Sequence, residues 1–345
     1  MIRIIFHNFK TKKSQHKLPK KTLQKILFKL NKSLPENDSV KNAIPFYWFL
    51  EGPYSEVIDQ TICMMKDKQI LLNADDRYEL YKYNSDLQDR RFINHQEYDF
   101  EKIRKAIYDI VNNTSKFSNL LLVKEGYAES PILFYPSYKT DFLSHFESYC
   151  DHYIRNTTSY SIFTEPVLLS ELKQSIFAIP PNPIFTDFKI LFLKFVQTVE
   201  KTFEFKNKKD PRYTIVLESL KSLSREIWNT FAYGARILEH DEYYLDKIPD
   251  WENMFSDKIR ILDSAITTVI QITETNLGIK LNVGGLDDKC PEDQEFRMHL
   301  ARSIGLDNLP EYDPDSFDRL TGIISNRIKC DEFDPVEIIR DIRRD

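Results

Sequence analysis

Residues 45–58 read Pro-Phe-Tyr-Trp-Phe-Leu-Glu-Gly-Pro-Tyr-Ser-Glu-Val-Ile, and this stretch decides how the first quarter of the chain is organised. The apolar block Pro45–Leu50 ends at Gly52-Pro53. That dipeptide marks a turn, because glycine accepts backbone angles closed to other residues and proline fixes its own. Ser55 then stands where a helix N-cap is expected, with Glu56 in the first turn. Val57, Ile58, Ile62 and Met65 share one face of the helix that follows.

Upstream, Leu23, Ile26, Leu27, Leu30 and Leu34 follow helical spacing from Leu18, with lysines between them, and Pro35 closes the helix. Asp38-Ser39 is a second N-cap signal, before a short segment with Val40 and Ile44. Downstream, Ile70-Leu71-Leu72 reads as a strand, Asn73–Asp76 as a turn and Tyr78–Tyr83 as the returning strand. Helix, helix, turn, helix and hairpin is the order of a winged helix-turn-helix. In that fold the third helix can enter the major groove by its N-terminal half, and the wing can touch backbone.

Two short motifs carry a resemblance. Leu23-Gln24-Lys25 near the start of the upstream helix, and Gly52-Pro53-Tyr54-Ser55 after the aromatic block, resemble the corresponding segments of prokaryotic winged-helix proteins. These include the Panacea antitoxin-like, YwgA-like and phage-associated uncharacterised proteins. The resemblance spans residues 18–83. It implies a winged helix and a regulatory or antitoxin-like role in a prokaryotic defence system.

The formal net charge is −5 over 345 residues, yet residues 1–35 hold ten Lys or Arg and no Asp or Glu. The remainder therefore carries −15. A basic N-terminal arm on an acidic body points to phosphate contact. The expected DNA contacts are Lys10, Lys12, Lys13, Lys17, Lys20, Lys21 and Lys25 on the arm and upstream helix, Ser55 and Gln60 on the recognition helix, and Arg77 at the wing. Glu56 and Asp59 make that recognition helix acidic, whereas bases are read mostly by Arg, Lys, Asn and Gln. Backbone contact is therefore expected rather than base reading, and a protein-interaction or dimerisation module is the alternative.

Beyond the wing, Ile103, Ile107, Ile110 and Val111 mark a helix over 100–113. Leu120–Val123 and Ile132–Tyr135 are short apolar runs, either strands or buried helix segments, and further helices are expected at 139–155 and 168–177. Pro180-Pro181-Asn182-Pro183 is the clearest break in the chain. Three long stripes follow, over 185–203, 216–238 and 259–277, interrupted at Lys206–Pro211 and at Pro249. They predict an antiparallel bundle that also offers a homodimer face. The tail is acidic, with short helices expected near 292–304, 314–328 and 335–344. The expected architecture is mainly α: basic arm and winged helix over 1–95, a mostly helical connection over 96–180, a long-helix bundle over 181–285 and a helical tail over 286–345.

Only eight glycines occur and no phosphate-loop or dinucleotide fingerprint is present, which argues against the common nucleotide-dependent enzymes. The four cysteines, at 63, 150, 290 and 330, fit neither a zinc ribbon nor a disulfide framework. With no apolar run of 18 residues and no signal-peptide pattern, the expectation is a cytoplasmic chain without membrane contact, cofactor or bound metal. His145, Cys150 and His152 are close in sequence but lack a fourth zinc ligand. Arg236-x3-His240 is one residue short of the Arg-x4-His spacing of helical ribonucleases, and no Asn follows the Arg. The functional expectation is a non-enzymatic DNA-associated protein with a protein partner. The alternatives are an antitoxin-like interaction subunit without direct DNA binding, and a helical nuclease.

Overall fold

The computed structural model describes residues 1–13, 17–36, 38–75, 80–84, 97–114, 126–154 and 164–281. The basic arm opens with a helix, α1 (Ile2–Lys13), whose Ile2, Ile5 and Phe6 are buried at i, i+3, i+4 spacing. A strand β1 (Lys17–Pro19) leads into α2 (Lys20–Ser33), so Leu23-Gln24-Lys25 lies in the second helix rather than the first. A short α3 (Ser39–Asn42) follows, capped by the Asp38 carboxylate, which accepts from the Val40 N–H at 2.9 Å.

The aromatic block forms β2 (Tyr47–Phe49), which turns at Leu50-Glu51 into β3 (Gly52–Tyr54). Gly52-Pro53 is therefore strand, not turn. Gly52 still needs to be glycine, with φ at +91° and no room for a Cβ beside the Lys25 ammonium. Then come α4 (Glu56–Asp67) and the wing, β4 (Leu71–Asp75) and β5 (Leu80–Tyr83). The wing is a three-stranded antiparallel sheet in the order β1-β5-β4. Helix, strand, helix, helix, strand, strand, with the first strand beside the last, is winged-helix order. Here α3 and the β2–β3 hairpin are inserted between the second and third helices.

The helix α5 (Glu97–Thr114) packs on α1 and α2 and buries Ile103, Ile107 and Val111. The run Ile132–Tyr135 is no strand: Ile132 and Leu133 form a bend and turn, and Phe134 begins a helix. It enters a π-helical segment, Tyr135–Leu143, that passes directly into α6 (Ser144–Ile154). The bundle continues with α7 (Glu165–Phe177), α8 (Thr186–Phe203), α9 (Pro211–Leu238) and α10 (Ile248–Leu277). The proline break at 180–183 is a short connection between α7 and α8, closed by Asn182 accepting from the Ile184 N–H at 3.0 Å. Pro249 does not end a helix. It occupies the first turn of α10, where its missing N–H costs nothing, so α10 starts at Ile248 rather than Ile259.

The bundle core is aromatic: Phe134, Tyr138, Phe142, Phe185, Phe188, Phe192 and Phe231 are all fully buried. The pairs Glu226–Lys258 and Arg236–Met254 show α9 and α10 running antiparallel. Gly234 makes their close approach possible, since a Cβ there would lie 2.7 Å from Phe185 and 2.9 Å from Phe255.

Backbone hydrogen bonds join the N-terminal elements to the bundle. The Trp48 N–H donates to Glu239 O and the Asp241 N–H to Phe46 O, both at 2.9 Å, while the Phe46 N–H donates to the Asp241 carboxylate at 2.6 Å. Residues 239–241 thus pair with the open edge of β2 through an isolated antiparallel bridge, Tyr47 opposite His240. No helix among the described residues is long and apolar enough to cross a membrane. The tail helices expected beyond residue 286 lie outside the described residues.

Candidate nucleic-acid interface

The two motifs that carried the resemblance meet in space. Gln24 Nε2 donates to Ser55 O, and the Ser55 N–H donates to Gln24 Oε1, both at 3.0 Å. One side-chain amide thus satisfies both backbone groups at the entry to α4. Lys25, 4% exposed, donates to the Glu51 carbonyl from the next helical position and lies 5.6 Å from the centre of the Tyr127 ring. Burial pulls its pKa down to about 7 from the ordinary value of 10.5. The neighbouring carbonyls are held in the same way: Phe49 O accepts from the Tyr135 hydroxyl at 2.9 Å and Leu50 O from the Tyr127 hydroxyl at 3.1 Å. Leu-Gln-Lys therefore builds the Gly-Pro-Tyr-Ser corner. Lys25 and Ser55, the latter fully buried, face the interior and offer nothing to a surface ligand.

Most of the remaining described lysines of α2 are also engaged. Lys20 pairs with Asp59 at 2.7 Å, Lys21 with Glu51 at 2.8 Å and Lys29 with Glu129 at 3.6 Å. The charge that dominates residues 1–35 is thus partly neutralised by acids that sequence distance concealed. Lys10, Lys12 and Lys13 lie on the last turns of α1, and their side chains are outside the described set, as is Arg77.

In the N-terminal half of α4, the part that would read bases, both acids are engaged within the chain and Gln60 is exposed. Glu56 is paired with Lys247, accepts from the Tyr47 hydroxyl at 3.3 Å, and donates its own N–H to the Tyr244 hydroxyl at 3.3 Å. Asp59 receives Lys20, Gln24 and the Tyr54 hydroxyl. Its solvent face is Gln60, Cys63, Met64 and Asp67.

The wing sheet presents a different surface. Lys17 and Lys82 are direct cross-strand partners, both exposed, and Leu72 continues the row across β4. Among the described residues neither lysine has a carboxylate partner. Directly opposed like charges destabilise a sheet unless an anion lies over them. The last turns of α1, with Lys10, Lys12 and Lys13, adjoin this row through only three residues of chain.

The other sequence candidates lie in the bundle. His145 meets Glu171 at 2.8 Å, Cys150 is buried with its thiol pKa pushed up, and His152 packs edge-on to Tyr153. No group of three His, Cys, Asp or Glu among the described residues is arranged to hold a metal. Arg236 and His240 both pack around Trp251: the guanidinium carbon lies 5.0 Å from its ring centre and the imidazole centroid 6.2 Å. Sequence reasoning missed the partners of this pair, Phe49 and Trp251, because they come from distant elements.

Comparison with family models, with curated proteins and with solved structures returns no match to this chain.

Proposed function

We propose that this chain is a non-enzymatic DNA-associated protein that holds duplex backbone with its wing sheet, while its third helix serves as a structural joint. The observation that carries the reading is the Lys17–Lys82 pair on a winged-helix sheet, exposed and with no carboxylate partner among the described residues. Phosphates supply the missing charge, and the contact positions the protein without reading sequence. A role beside the G-P-Y-S winged-helix proteins of prokaryotic defence systems is consistent with the motifs. The test is fluorescence anisotropy of a labelled duplex with the full chain. Binding should appear at low salt and fall steeply as salt rises, with little difference between sequences. Absence of binding at low salt overturns the proposal.

A second reading, an antitoxin-like subunit that binds protein rather than DNA, is favoured by one observation: the solvent face of α4 contains Cys63 and a 54%-exposed Met64 but no basic residue. It predicts that Met64→Arg abolishes co-purification with a neighbouring-gene product and leaves duplex binding unchanged. A complex that survives this substitution counts against it.

A further inference from the structure

We infer that Arg236 is the centre of a second site, one that takes a phosphate group and is closed by the side chain of Met254. Arg236 lies in the last turn of α9 and is 6% exposed. Its guanidinium carbon is 4.6 Å from the ring centre of Tyr233, 5.0 Å from that of Trp251 and 5.3 Å from that of Phe49. Aromatic faces stabilise a cation but do not accept its in-plane hydrogens.

The acids nearby are taken. Glu56 is paired with Lys247, and Glu226 with Lys258 at 3.2 Å, while Arg236 has no carboxylate partner among the described residues. A buried charge ordinarily has one, because its desolvation must be offset. The in-plane edge is the telling part. Nε is buried with no hydrogen-bond partner, and Nη2 meets only the Met254 sulfur at 3.0 Å, a weak acceptor. Nε and Nη2 together form the side-on fork that fits two oxygens of a phosphate or carboxylate. That fork is the part of Arg236 left without an oxygen.

The cover over it is movable. Met254 is unbranched, flexible and 48% exposed, so a change of rotamer uncovers the fork without moving the helix. A phosphate suits the site better than a carboxylate because a second cation, the ammonium of the Lys258–Glu226 pair, lies against the Tyr233 ring. Lys258 lies 5.4 Å from the centre of the same Tyr233 ring that Arg236 covers. The site shares no residue with the wing sheet, so it stands or falls separately from the DNA proposal.

Isothermal titration of inorganic phosphate into the full chain at neutral pH tests it, with acetate as the carboxylate arm. The expected result is saturable one-to-one binding of phosphate that acetate does not match. Met254→Ala removes the cover and should tighten binding roughly tenfold. Arg236→Lys keeps the charge but lacks the fork, and should weaken binding by about tenfold or more. Absence of binding by both the wild type and a folded Met254→Ala chain overturns the inference. So does acetate binding equal to phosphate, or an Arg236→Lys chain that binds as the wild type does.

Discussion

The side-chain amide of Gln24 pairs with both backbone groups of Ser55, at 3.0 Å each way, as a neighbouring strand would. The helix α2 thereby fixes where α4 begins. Replacing Gln24 by Leu keeps the volume but leaves a buried N–H and C=O without partners. Each such group costs ~1–3 kcal/mol, so Gln24→Leu should destabilise the chain by about 2–4 kcal/mol in urea unfolding. A loss below ~1 kcal/mol would show that the corner is held by other means.

Lys25 gives stability a pH dependence with a definite sign. Its pKa is about 7 when folded and near 10.5 in the ordinary state, so between these values the unfolded chain binds more protons. Its contribution to stability therefore rises with pH from about 7 to about 10.5 and is flat outside that window. Lys25→Met should remove this rise. Melting temperatures of wild type and variant at neutral pH and near pH 9 check it: only the wild type should gain from this source.

Gly234 should not tolerate a methyl group. The rings that an added Cβ would strike, Phe185 and Phe255, are themselves buried and cannot swing into solvent. Gly234→Ala should cost roughly 1–3 kcal/mol through overpacking, although alanine is the better helix former. Thermal unfolding measures it, and a stabilised variant would contradict the packing described for α9, α10 and Phe185.

The lysines divide into spent and unspent. Lys17→Gln with Lys82→Gln should flatten the salt dependence of duplex binding by about two in the log–log slope, near 0.9 for each lost phosphate contact. Lys25→Met should leave that slope unchanged, because its ammonium is buried against Glu51 O. Anisotropy titrations at several salt concentrations separate the two outcomes.

What could be read in the sequence was what repeats locally. The stripe Phe188, Leu191, Phe192, Phe195, Val199 and Phe203 placed α8, and all six are buried. The cap at Asp38, and the hairpin after α4, were equally local. Pro249 was misread because proline ends one helix and begins another with the same letters around it. Strands of three residues, such as β2 and β3, are too short to show a period. The fate of a lysine was not legible at all: Lys17 and Lys25 look alike until Glu51, Tyr127 and Gly52 arrive from elsewhere. The same holds for Arg236, whose surroundings come from β2 and α10.

The pairing of residues 239–241 with the edge of β2 also bears on how the protein can be divided. Expressed alone, the first 95 residues would keep the wing but lose that pairing and the Tyr127 and Tyr135 hydroxyls. Their Phe46–Trp48 edge would face water as an unpaired, aromatic strand, the kind of surface that recruits other chains. The winged helix is thus a module by topology and not by autonomy, and the bundle serves as its permanent chaperone against self-association.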